Sequence, residues 1–211
     1  MSLPGLIIIG FGGHARSVAD VALACGFGAL LFVDPRARPG ENFLGHPVQA
    51  AWPEGDGFGD WRAMPASGDG QRRAAQMAEA RQRGRRIATL IAPTATVGVG
   101  ATVAEGCFVA QHAHIGPMAA VAEGCIVNTG AAVEHEARIG AFSHISVRAT
   151  VAGRAQIGAY NFIGAGATVI DRVTLADGIT LGAGGVAPYD IAAPGIYVGI
   201  PARLLSKAAS S

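Results

Sequence analysis

The sequence predicts a parallel β-helix preceded by a small α/β domain, and three observations carry that prediction. From Ile91 to Val186 a six-residue pattern runs sixteen times without an insertion or deletion. Its first position is always aliphatic, as at Val97, Val103, Val109 and Ile115, and its fifth is nearly always small. Ahead of it, an apolar run, a glycine-rich turn and a helical spacing follow one another in β-α-β order. A fixed short period held this long marks a solenoid in which each hexad is one strand and one corner. Three hexads close a triangular coil, so residues eighteen apart stack. The aliphatic residue fills the prism, and a small one is needed where the backbone turns inward.

Residues 1–86 form the α/β domain in this reading, and residues 87–211 the β-helix with a C-terminal cap. Leu6-Ile7-Ile8-Ile9 reads as a buried strand, and Gly10-Phe11-Gly12-Gly13 as the turn after it. Arg16 to Ala24 carries apolar residues at helical spacing, and Leu30 to Val33 is a second strand ending at Asp34-Pro35. The result is half of a dinucleotide-binding fold, with room for one mononucleotide unit. Between Pro35 and Pro65 only a short strand near Pro47-Val48-Gln49 is expected. Gln71 to Arg83 reads as a helix, and Arg86 to Leu90 as the strand leading into the first coil. Tyr189 to Leu205 lies beyond the repeat and is expected to cap it, because an open end exposes strand edges and apolar interior.

Composition narrows the function. A net charge of +1 argues against nucleic acid and anionic membranes as partners. The arginines at 72, 73, 81, 83, 85 and 86 are best read as a solvated helix face. Cys25, Cys107 and Cys125 are too few and too scattered for a disulfide framework or a zinc site. Cys107 and Cys125 should stack as buried thiols, which with the lack of a leader or spanning segment suggests the cytoplasm.

Gly10 to Ala15, G-F-G-G-H-A, fits the fingerprint G-x-G-x-x-G/A, with an acidic residue, Asp34, at about the expected distance. Its glycines let backbone approach a phosphate, and the helix behind it offers free N–H groups. His14 is extra to the fingerprint and sits where a polar ligand group would arrive. In the repeat, His135 is the third residue of its hexad and should project outward from a corner, with Pro117 and Gly153 as its coil neighbours. A side-chain-free Gly153 would let a thioester lie against backbone. His112 and His114 share a hexad but lack further ligands at metal spacing, so no metal is expected.

A strand-GxGGH start, a strand ending in Asp and a Gly68-Asp69 segment precede the uninterrupted hexads. With the stretch IVNTGAAVEHEARIGAFSHIS from Ile126 to Ser146, the chain resembles hexapeptide-repeat acyltransferases, specifically the N-acetyltransferases of nucleotide-linked 4-amino-sugars and related sialic-acid O-acetyltransferases. That resemblance implies a left-handed β-helix, a homotrimer, acetyl-CoA as co-substrate and a nucleotide-sugar as acceptor. It implies His135 as general base followed by Glu136. Gly12, Gly13, His14, Asp34, Gly68, Asp69, Asn128 and His144 would lie on the acceptor. Acetyl-CoA would run along a groove between prisms, past His144, Gly153, Gly164, Ala165, Gly182 and Ala183, whose small size leaves room for the pantetheine arm. The alternatives are O-acetylation of a sialic acid or similar sugar, a zinc enzyme of the γ-carbonic-anhydrase type, or a non-catalytic trimeric scaffold.

Overall fold

A computed structural model describes residues 4–205; the outermost ends of the two predicted domains, 1–3 and 206–211, lie outside the described residues. The N-terminal part is a five-stranded sheet flanked by helices. Its elements are β1 (Leu6–Ile9), α1 (Gly13–Ala24), β2 (Leu30–Val33), β3 (Asn42–Phe43), β4 (His46–Gln49), β5 (Arg62–Pro65) and α2 (Gly70–Gln82). The strand order is β3-β4-β2-β1-β5, parallel except for the β3–β4 hairpin. β1 is apolar at every position because both its faces are covered. Leu6 and Ile8 pack with α1, and the opposite side carries Ile7 with Leu31 and Val33 beneath Trp52, Phe58 and Trp61. β5 was not expected; it pairs alongside β1 from Leu6↔Arg62 to Ile9↔Pro65. The aromatic residues of the segment before it close the sheet's outer side.

The hexads form a triangular prism with an eighteen-residue ladder, seen in pairs such as Ile126↔His144 and Val127↔Ile145. Each strand holds the last residue of one hexad and the first of the next. From Val109 onward the first-position residues are interior, with Val109, Val127, Ile145 and Ile163 fully buried, whereas Val97 near the start of the prism is 42% exposed. Cys107 and Cys125 lie among them, buried and unbridged. The three faces differ in the residues they turn outward. The first face shows Leu90, Phe108, Ile126 and His144, and α1 lies over it, so one core runs from the α/β sheet into the prism. The second face shows Thr96, His114, Ala132, Thr150, Thr168 and Val186, none of them acidic or strongly basic. The third shows Thr102, Ala120, Arg138, Gln156 and Thr174. Gly195–Val198 extends the first face, and Arg203–Leu204 pairs with it antiparallel beyond the last coil.

From the second hexad onward the fourth residue has left-handed backbone, whether or not it is glycine. Gly106, Gly124 and Gly130 share this conformation with His112 (φ 58°), Glu136 (φ 60°), Arg154 (φ 60°) and Arg172 (φ 63°). For a residue with a Cβ this region costs roughly 1–2 kcal/mol. The compensation is a hydrogen bond to the preceding coil: Glu136 N–H donates to Pro117 O at 3.0 Å, and Arg154 N–H to His135 O at 2.9 Å.

One arginine of the expected solvated helix face is not solvated. Arg73 is 1% exposed and its guanidinium fills the joint between α2 and the prism. It donates to Ser67 O and Gly68 O on the α/β side, and to Gly124 O, Phe142 O and Ser143 O at the corner between the third and first faces. Burial lowers its pKa to about 10, which leaves it charged at neutral pH. An ionised fork can satisfy five carbonyls at once, whereas a lysine lacks the donors and the planar shape. Arg81 adds exposed bonds to Glu105 and Glu123 of the prism at 2.6 and 2.9 Å.

Candidate active site

The glycine turn and the start of α1 open onto a cleft of about 270 Å³, lined by Gly12, Gly13, His14, Asp34, Gly68 and Arg72 among others. Gly10 has φ 111° and needs to be glycine, which lets the chain turn from β1 into the cleft wall. Gly12 and Gly13 are different: a Cβ on either would meet nothing within 4 Å. Their lack of a side chain keeps the cleft open. Gly12 caps α1 without a side-chain bond, and no acidic residue stands in the helix's first turn. The first N–H groups of α1 and the positive end of its dipole therefore remain available to an anion. Asp34 accepts from Phe11 N–H and Arg36 N–H, both at 2.9 Å, and so fixes the turn to the end of β2. Burial opposes its charge, but these two bonds and the Arg36 cation outweigh it and hold the carboxyl below its ordinary range. Asp69 is the N-cap of α2, accepting from Arg72 N–H at 2.8 Å, and it faces an adjoining cleft rather than this one.

Beneath the cleft, His14 and His144 pack with ring centroids 6.3 Å apart, His14 edge-on to Phe108 and His144 edge-on to Phe162. Gly68 O lies 3.3 Å from His144 Nδ1 and also receives Arg73. A carbonyl can only accept, so that contact assigns the proton to Nδ1 and leaves Nε2 to accept from Asn128 Nδ2 at 3.2 Å. His14 Nε2 is buried with no hydrogen-bond partner among the described residues. Burial, then the neighbouring His144 and Arg73 charges, lower the His14 pKa to about 3. Burial and Arg73 lower that of His144 to about 4. Both rings are neutral in the folded protein where unfolded histidines titrate near pH 6.5. The unfolded chain thus binds protons that the native state refuses. Stability is fully present above pH 6.5 and falls as pH drops from there toward 4, by on the order of a few kcal/mol. Thermal unfolding between pH 7.5 and 4.5 should show this slope, and His144→Gln should flatten it. An equal slope in the variant would mean the protons bind elsewhere.

His135 and Glu136 occupy the corner between the second and third faces, on the far side of the prism from α1. His135 Nδ1 lies 3.5 Å from Glu136 Oε2, with both side chains about half exposed. Neighbouring strand residues would point apart; the left-handed backbone at Glu136 brings its carboxylate back to the imidazole. The ring lies over Gly153, one coil on, where a Cβ would collide with Nε2 and Cε1 and come within 2.8 Å of Asp171 Oδ1. Gly153 thus makes room for His135 itself. Asp171 is a neighbour that sequence reasoning missed, although the same eighteen-residue column leads from Pro117 through His135 and Gly153 to it. It is held by Arg154 at 3.1 Å and Arg172 at 3.6 Å.

Of the residues expected along the acetyl-CoA groove, His144 is buried on the first face, and the others fall on two corners. Gly153 is beside His135, while Gly164, Ala165, Gly182 and Ala183 follow Asn128 along the corner between the first and second faces. Ala165 and Ala183 are exposed there. Gly164 is buried, and a Cβ on it would stand 2.6 Å from Ala183 N, so its small size serves coil stacking. Among the described residues no three His, Cys, Asp or Glu side chains gather in a metal-holding group, and no helix is long and apolar enough to cross a membrane.

A solenoid of hexads carrying an exposed His–Glu pair, joined to a glycine-lined cleft at a helix N-terminus, defines a class of acyl-transfer enzyme. The PglD N-terminal domain family matches residues 5–58. The acetyltransferase domain of PglB from Neisseria gonorrhoeae FA1090, solved with acetyl coenzyme A, is 32% identical and superposes with a TM-score of 0.88, covering 97% of this chain and 100% of that one. Perosamine N-acetyltransferase from Caulobacter crescentus, solved as a histidine-to-asparagine mutant with CoA and GDP-perosamine, is 31% identical with a TM-score of 0.87, over 98% and 99% of the two chains. WeeI from Acinetobacter baumannii AYE, at 16% identity and a TM-score of 0.64 over 95% and 99% of the two chains, shares the fold. No curated protein matches the chain. The chain belongs to the hexapeptide-repeat, acetyl-CoA-dependent sugar N-acetyltransferases.

Proposed function

We propose that the protein moves the acetyl group of acetyl-CoA to the amino group of a nucleotide-linked 4-amino-4,6-dideoxy sugar, with His135 as general base, in a homotrimer. The observation that carries this reading is the placement of two half-sites on opposite sides of one prism. The glycine cleft lies over the first face, and His135 projects from the corner opposite it. Within one chain they cannot act on one substrate; a threefold arrangement sets the His135 corner of one subunit against the cleft-bearing side of the next. The second face, which lies between the His135 corner and the Asn128 corner, supports this arrangement. Its outward column holds no carboxylate, lysine or arginine, so it can turn toward a symmetry axis without burying such a charge.

In that assembly the diphosphate lies at the N-terminus of α1, Asp34 accepts from ribose, and the sugar extends past Asn128 to the neighbour's His135. The neutral amine attacks the thioester carbonyl, the C–N bond forms and the C–S bond breaks. The proton leaves nitrogen for His135 and passes on to the departing sulfur. Glu136 orients the ring and stabilises it once protonated. The amino acceptor, rather than a sialic-acid hydroxyl, follows the N-acetyltransferase relatives. The nucleotide-sugar follows the cleft and the complex with GDP-perosamine.

Acetyl-CoA runs between the two corners, along the exposed Ala165 and Ala183. Ala165→Leu and Ala183→Leu should raise the KM for acetyl-CoA about tenfold or more with little change in the KM for the nucleotide-sugar. Unchanged KM values in both variants would place the donor elsewhere. Light scattering tests the assembly directly, and a monomer at micromolar concentration would remove the shared site.

A further inference from the structure

We infer that the acceptor's nucleotide is a guanosine diphosphate, selected by Glu41 and Arg38; this rests on the nucleotide-sugar reading above. The cleft at the glycine turn continues into a second hollow of about 260 Å³, lined by Phe11, Asp34, Arg36, Ala37, Arg38 and Glu41. The two share Phe11, Asp34 and Arg36, so they form one groove. With phosphates at α1 and ribose at Asp34, the next group along the chain of the ligand is the base, and the second hollow receives it.

Its chemistry discriminates between bases. Glu41 is partly buried, and its Oε2 is fixed by Arg38 N–H at 3.0 Å, which leaves further acceptor sites on the carboxylate. Guanine alone presents two adjacent donors, N1–H and the 2-amino group, that a carboxylate can accept as a pair. Its O6 and N7 accept from a guanidinium, a pairing that proteins use widely to read this base. Uracil sets a single N–H between two carbonyl oxygens, which a carboxylate would repel. Adenine has no N–H beside its amino group. Phe11, at the mouth of both hollows, supplies an apolar surface for the base, held edge-on to Phe32 at 5.1 Å.

The test is calorimetric titration of the full-length protein with GDP, IDP, UDP and ADP, on the native chain and on Glu41→Gln. GDP is expected to bind about tenfold tighter than UDP or ADP, and tighter than IDP, which lacks the 2-amino group. Glu41→Gln keeps an oxygen for Arg38 N–H, so it should lose about tenfold for GDP and close the gap to IDP while sparing UDP. UDP or ADP binding as tightly as GDP, or a loss shared equally by all four, would overturn the base assignment. Failure of all four to bind would instead overturn the nucleotide reading beneath it.

Discussion

Replacing His135 by alanine or asparagine is expected to lower kcat by two to four orders of magnitude while the trimer and the unfolding temperature stay close to native. The size follows from what a positioned proton acceptor contributes to amine acylation. The structural neutrality follows from position: the ring is half exposed, sits on a corner whose ladder bonds are main-chain, and packs on a glycine. Glu136→Gln should lose less, because it weakens the orientation and charge of the imidazole without removing it. Asp171→Asn separates two roles for the newly found neighbour. If Asp171 holds the Arg154 and Arg172 side chains, kcat should stay near native and the KM for acetyl-CoA should change. A fall in kcat comparable to that of Glu136→Gln would put Asp171 in the proton-transfer machinery. Near-native turnover by His135→Ala would place the proton acceptor elsewhere, and capture of an acetylated side chain would point to a covalent route.

Two inactive variants should restore each other when they share a trimer. His135→Ala leaves the nucleotide cleft intact. Gly12→Glu leaves the corner intact and sets a negative charge where the diphosphate belongs; the Cβ it adds meets nothing within 4 Å, so the fold should tolerate it. Each alone should have close to no activity. In trimers co-refolded from equal amounts, a given cleft is whole when its corner comes from one variant and its pocket from the other. Random assembly gives about one quarter of the clefts this composition, so about a quarter of native activity should return. Recovery from such a low background is a large signal. Its absence, with mixed trimers demonstrated by mass, would mean that each site is built within one chain.

The prism was legible because its constraint is periodic: an aliphatic residue must return to the interior at every strand, and one missed beat would break the ladder. The α/β part was less so. β5 reads Arg-Ala-Met-Pro, without the branched residues that mark strands, and is made a strand by pairing beside β1. Arg73 looked like one more arginine of a solvated helix, since sequence spacing does not reveal which carbonyls a fold will leave to be satisfied. The left-handed corners were hidden for a related reason. Glycine occupies only some of them, and the non-glycine ones are specified by the ladder bond to the coil below. For the site, the His135–Glu136 pair and the glycine turn were visible locally. Asp171 required following one column of the solenoid a step further, and the second hollow depends on Glu41, held by Val48 N–H of the β3–β4 hairpin, of which only β4 was expected.

The left-handed corner also works as a register of where this enzyme needs side chains. Any such corner would be more comfortable with glycine, and glycine is what stands at Gly100, Gly106, Gly124, Gly130, Gly166, Gly178 and Gly184. The corner that carries His135 and the Arg154–Asp171 pair has given glycine up at four consecutive levels, Met118, Glu136, Arg154 and Arg172, each in the same unfavourable backbone region. While the other two edges share His112, Phe142, Arg148 and Tyr160, half of the prism's strained corners stand along this one edge, stacked level upon level. That edge is the one the neighbouring subunit is proposed to meet, so the preference of the isolated chain for relaxed corners has been subordinated there to what the assembled molecule must present.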